Sequence, residues 1–243
     1  MNRPLSTLAL IATLAALGAR SALPQGVNLG WNACGPAGVA LKSFACDSNA
    51  GSHVAVGSYI APAGITQLNG MEITLDLCSA AAQLPDWWLF LNAGSCRQTS
   101  LGLNFIYTGA DCLDYWAFVG PAVGGIAAYR VGYPGANGAR ILAVGAVPSD
   151  VASTVAAGEE YFAFNLTINN AKTVGTGACA GCGAPACLVL SRIRLTQPLG
   201  VGDFTLDSPG FRQFIAWQGP CQSYGCYVPA LNRTFGQIKA MYR

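Results

Sequence analysis

The sequence predicts an all-β protein: a two-sheet antiparallel β-sandwich, jelly-roll-like, stapled by disulfides and closed by a short C-terminal helix. Three observations carry that expectation. Apolar residues recur at every second position along most of the chain, the period of a half-buried strand. Glycine (30 residues) and proline (13) interrupt those runs at short intervals. Ten cysteines, an even number, are spread from Cys34 to Cys226, and in an exported chain they read as a disulfide framework.

Export is read from the first residues. Arg3 precedes an apolar stretch from about Leu8 to Ala19, and small residues follow. That is the pattern of a secretory signal peptide over residues 1–22, cleaved near Ser21 or Ala22. The stretch is shorter than the roughly 18–20 residues that span a bilayer. No other apolar run is long enough, so no membrane span is expected. Residues 23–243 then form one β-sandwich domain, secreted, periplasmic or held at the cell surface.

The strands follow in order. "SHVAVGSYIAP" is the first clear candidate. In "NGMEITLDLC", Met71, Ile73, Leu75 and Leu77 alternate with Glu72, Thr74 and Asp76, which gives one dry and one wet face. "SLGLNFIYTG" and "GARILAVGAVP" come next. "EEYFAFNLTIN" places Phe162, Phe164, Leu166 and Ile168 on one face. "LVLSRIRLTQP" sets Val189, Ser191, Ile193 and Leu195 against Leu190, Arg192, Arg194 and Thr196. "FRQFIAWQ" is read as a strand, although Pro209 before it would also suit a first helical turn. Turn chemistry separates these runs at Asn69-Gly70, Pro134-Gly135, Asn137-Gly138 and Asp207 to Gly210. The total is nine or ten strands around one core. The helix is expected in the tail, where Thr234 caps and Phe235, Ile238 and Tyr242 share a face.

Charge narrows the partners. Charged residues make up 10% of the chain, against about 25% in ordinary soluble domains. The formal charge of +2 falls to zero once Arg3 and Arg20 leave with the leader. Nothing in that balance attracts nucleic acid or an anionic membrane. A surface of neutral polar groups suits a neutral polysaccharide, a cell-surface component or another subunit.

Chemistry is sought first in "GACAGCGAPAC", which places Cys179, Cys182 and Cys187 within nine residues. The spacing resembles half a zinc site, but a structural zinc takes four ligands. The sole histidine, His53, is far away in sequence. A redox motif would open a helix in a βαβ unit, whereas this segment leads into a strand. The cluster is therefore read as staples, with no metal and no cofactor. All ten cysteines, Cys34, Cys46, Cys78, Cys96, Cys112, Cys179, Cys182, Cys187, Cys221 and Cys226, are assigned to bridges. Proximity favours Cys34–Cys46, Cys96–Cys112 and Cys221–Cys226. Cys78 would then reach one member of the cluster while the other two pair together.

Trp87 and Trp88 are the candidate ligand-binding residues. Neighbours on a strand point to opposite faces, so one fills the core. The other either looks outward, as a stacking platform for a sugar ring, or packs under a loop. Carboxylates are the alternative. Hydrolysis of a glycoside needs two of them across a cleft, and Asp111 with Asp114, or Glu72 with Asp76, are the closest pairs. Neither sits in a recognisable motif, and no nucleophile elbow or phosphate loop is present. No catalytic residue is assigned.

Several stretches together, among them "VNLGWNAC", "LPDWW", "KTVGTGACAGC" and "IRLTQPLGVGDF", resemble a group of uncharacterised secreted proteins from environmental bacteria. That resemblance implies bacterial origin and export, and no activity. The leading functional expectation is an exported non-enzymatic module for binding or cell-surface structure, with carbohydrate as the ligand class. A carbohydrate-active hydrolase using paired carboxylates is the alternative. A subunit of a homopolymeric surface layer or fibre, joined through exposed strand edges, is the third.

Overall fold

The structure, a computed structural model, describes residues 24–221. Two sheets face each other across an apolar core. The smaller runs β1 (Gly26–Trp31), β3 (Ser52–Ile60), β8 (Glu160–Asn169) and β5 (Leu101–Asn104), in that order across the sheet. The larger runs β2 (Leu41–Lys42), β11 (Phe214–Trp217), β9 (Ala186–Thr196), β4 (Gly70–Ser79), β7 (Gly138–Ala146) and β6 (Val123–Val131), with β10 (Phe204–Leu206) paired to β9. Every pairing between these strands is antiparallel except β11 with β2. The disulfide-stapled β-sandwich expected from the period-two pattern is the fold observed. Among the described residues one α-helix, α1 (Tyr115–Val119), interrupts it. The expected tail helix, with Thr234, Phe235, Ile238 and Tyr242, lies outside the described residues, as do the leader and Cys226.

Alternation sets which side chains enter the core. Met71, Ile73, Leu75 and Leu77 of β4 are all buried, as their spacing requires. Two β-bulges redirect the other expected faces. In β8, Phe162 opposes Ser58 and Phe164 opposes Gly57, so Ala163 is the extra residue. Tyr161 therefore falls in step with Phe164, Leu166 and Ile168, while Phe162, out of step but still fully buried, stacks on Tyr107 at 4.7 Å. In β9, Thr74 opposes Arg192 and Leu75 opposes Leu190, leaving Ser191 extra. Leu188 and Leu190 thus share the core face with Ile193 and Leu195, and Val189 does not. A single inserted residue flips every side chain beyond it. Strict alternation cannot register such an insertion.

The core is closed at one edge by segment 208–212. Asn28 fixes it: its Oδ1 accepts from the Phe211 and Arg212 backbone N–H, and its Nδ2 donates to Glu160 at 2.8 Å. Arg212 in turn donates to the carbonyls of Leu29, Gly35 and Gly38. The outer edge of β1 is therefore covered by the chain's own backbone, which protects it from strand addition.

Candidate functional site

The cysteine cluster is resolved by its partners. Cys179 bonds Cys96, Cys182 bonds Cys46, and Cys187 bonds Cys221. A fourth bridge joins Cys34 to Cys112. Cys78 is disulfide-bonded as well. The staple reading holds, and the local pairings do not: Cys34–Cys46, Cys96–Cys112 and Cys221–Cys226 are each replaced by a longer link. Cys78 does not reach the cluster, because all three of its members are taken. No two cluster cysteines pair with each other. The reason is that residues 179–187 lie where distant segments converge, so the nearest sulfur in space belongs to another part of the chain. Among the described residues, no three His, Cys, Asp or Glu side chains come together to hold a metal ion.

Trp87 and Trp88 are both fully buried, with 0% of their surface exposed. Neither is a stacking platform. Their segment is a 3-10 turn, Asp86–Trp88, rather than a strand. Pro85 presets the turn, and Trp88 N donates to the Pro85 carbonyl at 2.9 Å. Successive side chains in such a turn diverge by about 120° instead of 180°, so both rings can face inward. They meet Trp217 at 4.8 and 5.3 Å, and Trp217 also touches Trp31 and Phe44.

Arg97 locks this aromatic cluster and was not marked by any motif. It is 1% exposed, with its guanidinium 3.6 Å from the Trp87 ring centroid. It donates to the carbonyls of Trp87, Asn169 and Ala171. Burial pushes its pKa down to about 10, so it is charged at neutral pH. His53 closes the cluster at the surface. Its ring lies 3.6 Å from that of Phe44, and Nε2 sits 3.0 Å from Asn170 Oδ1. Burial holds its pKa below the usual histidine value.

Three of the four candidate carboxylates are engaged elsewhere. Asp76 takes a bidentate pair from Arg140, at 2.7 and 2.8 Å, and a bond from Ser191 Oγ at 2.6 Å. Glu72 lies 3.2 Å from Arg194, which also holds Asp203 at 2.6 Å. Asp114 caps α1 by accepting from Trp116 N at 3.0 Å. Asp111 is exposed, and its backbone N–H donates to Tyr107 Oη.

Among the described residues, a groove lies beside α1. Tyr115 and Trp116 point inward. Tyr115 Oη donates to the Leu68 carbonyl at 2.5 Å and accepts from Ser153 N at 2.8 Å, and Trp116 packs edge-on against Phe105. Gly120, with φ of 102°, ends the helix. Phe118 is left on the outer side, 81% exposed. Between α1 and residues 153–156 runs a groove of about 450 Å³, lined by Leu113, Phe118, Val119, Thr154, Ala156 and Tyr161 among others. Its far wall is fixed too, because Tyr161 Oη accepts from Ala156 N at 2.9 Å. Two tyrosine hydroxyls therefore tie residues 153–156 to the walls of the groove. Neither α1 nor Phe118 was anticipated from sequence. A signal was there to be read: Asp114 as a cap, five helix-tolerant residues, then Gly120-Pro121 as a stop.

No protein-family model matches the chain, and no curated protein matches it.

Proposed function

We propose that the chain is an exported, non-enzymatic β-sandwich module that acts by binding an extracellular component, and that α1 and its groove are the contact surface. One observation carries the reading. A large aromatic side chain, Phe118, stands 81% exposed beside a preformed groove, while all five tryptophans are buried. Leaving a phenylalanine in water forgoes about 2 kcal/mol of burial. Export is supported by the disulfides, which persist in oxidising compartments, and by the leader pattern. Among the described residues no helix is long and apolar enough to cross a membrane. Against the hydrolase alternative, Glu72 and Asp76 are held by arginines.

The test is retention of the mature protein on immobilised polysaccharides and cell-envelope fractions, compared with a Phe118→Ser variant. Retention that falls at least tenfold in the variant supports the reading. Retention that ignores Phe118, or none on any matrix, removes it.

A second reading has its own observation. Strand β6 is nine residues long, carries Arg130 as its one charge, and among the described residues has β7 as its only strand neighbour. Val123 on it is 81% exposed. Such an edge suits addition of another strand and hence a homopolymer. Sedimentation that rises with concentration, and is abolished by Val123→Lys, would favour it over the groove.

A further inference from the structure

The chain has ten cysteines, and eight are joined as Cys34–Cys112, Cys46–Cys182, Cys96–Cys179 and Cys187–Cys221. Cys78 is disulfide-bonded too, and the cysteine that remains is Cys226. The sheet geometry points the same way. Cys78 and Cys187 oppose each other on β4 and β9. Leu77 and Leu188, beside them in sequence, belong to the core, so both cysteines point to the opposite, outer face of the larger sheet. There Cys78 packs with Val189 and Phe214 in a cluster apart from the core. Cys187 lies 5.5 Å from Cys221, Cα to Cα, and that bridge carries the end of the described chain onto this patch.

We infer that Cys78 bonds Cys226 of the same chain, so that residues 221–226 form a strap fastened to β9 at one end and to β4 at the other. The reach is short. Opposed residues of an antiparallel pair stand about 5 Å apart, and five residues of chain span up to about 17 Å, so neither strand has to move. Closure takes two protons and two electrons from the two thiols. They pass to an external disulfide, which one thiolate attacks and the other displaces, leaving that disulfide reduced to a dithiol. The five-residue tether from Cys221 also favours Cys78 of the same chain over that of a second copy, because it holds the thiol at an effective concentration on the order of millimolar. The strap lies at the end of β4 away from Gly70 and the α1 groove, so it stands or falls apart from the binding reading.

Disulfide mapping of the mature protein tests the pairing. Free thiols are blocked with iodoacetamide, and the unreduced protein is cut with trypsin and chymotrypsin for mass spectrometry. Cleavage after Tyr224 parts Cys221 from Cys226, and cleavage after Tyr59 and Trp87 parts Cys78 from Cys46 and Cys96. Neither protease has a site between Cys179 and Cys187, so that peptide stays joined to those of Cys46, Cys96 and Cys221. Expected is a separate product of two peptides, one holding Cys78 and the other Cys226. An alkylated Cys226, or Cys226 joined to any other peptide, overturns the inference. So does a species of twice the monomer mass on non-reducing electrophoresis that reduction removes. Thiol titration of the denatured Cys226→Ser variant gives an independent reading. It should find one thiol per chain, at Cys78, where the parent has none. No thiol in the variant, or a thiol at another position, overturns the pairing as well.

Discussion

The two ends of strand β4 treat aromatic side chains in opposite ways. Near Ser79, Trp31, Trp87, Trp88 and Trp217 are withdrawn from water, clamped by Arg97 and flanked by the Cys46–Cys182 and Cys96–Cys179 bridges. Near Gly70, Tyr115 and Trp116 anchor a five-residue helix whose remaining ring, Phe118, is spent on the surface. One end uses rings to make a core where the sandwich has no strand to close it. The other uses two rings as anchors so that a third can be displayed. The comparison separates side chains that hold the fold from those free to serve contact, although residue type is the same.

Substitutions can widen that contrast. The largest effect is expected at Arg97. Replacing it with alanine strands the buried Trp87 carbonyl and two part-buried ones and empties the space beneath Trp87, a loss of about 4 kcal/mol. Lysine restores the charge but not the planar fork, so Arg97→Lys should recover only part of it. Urea unfolding curves of both variants measure the difference, and a stable Arg97→Ala protein would show that the clamp is dispensable.

A smaller effect is expected from pH at the same end. His53 has its folded-state pKa depressed by burial, so the folded protein takes up its proton less readily than the unfolded chain does. The contribution is complete above the ordinary histidine value of about 6.5 and is lost as pH falls through the depressed value. Thermal midpoints should therefore decline from pH 7.5 toward 5. In His53→Phe, which keeps a ring against Phe44 and Trp217, that part of the decline should disappear. The smallest effect belongs to the opposite end: Phe118→Ser should change stability by less than about 0.5 kcal/mol, while altering binding. A Phe118→Ser protein that melts far below the parent would mean that the ring is structural after all.

How much of this was legible in the sequence depends on what each residue's neighbours are. Met71, Ile73, Leu75 and Leu77 could be assigned because their spacing holds along β4, but Thr74 and Asp76, expected on a wet face, are buried as well, since β4 lies mid-sheet and Arg140 and Ser191 cover Asp76. Val189 could not, because the bulge at Ser191 is set by pairing with β4, and the bulge at Ala163, set by β3, puts Phe162 out of step with Phe164 although it stays buried. Cysteine content revealed staples, but pairing follows from which segments meet in space, and sequence distance misled for every local bridge. Trp87 and Trp88 were misplaced because a 3-10 turn was treated as a strand. Strand β6, with "VGGIAAYRV", has too many small residues to show a period at all. Phe118 went unnoticed because an apolar residue in a short helix looks like core until the direction of each ring is known.

The bridges also impose a timetable. A chain is made from its N-terminus, so Cys34, Cys46, Cys78 and Cys96 all emerge before Cys112. Cys46 must then wait through a separation of 136 residues for Cys182, and Cys96 through 83 residues for Cys179. During that wait the sulfurs nearest at hand are wrong ones. Any bond formed early between them has to be undone by thiol–disulfide exchange, which is slow without a catalyst. The 179–187 segment can therefore be fastened only late, and the yield of correctly joined molecules is governed by how long earlier thiols stay free or exchangeable.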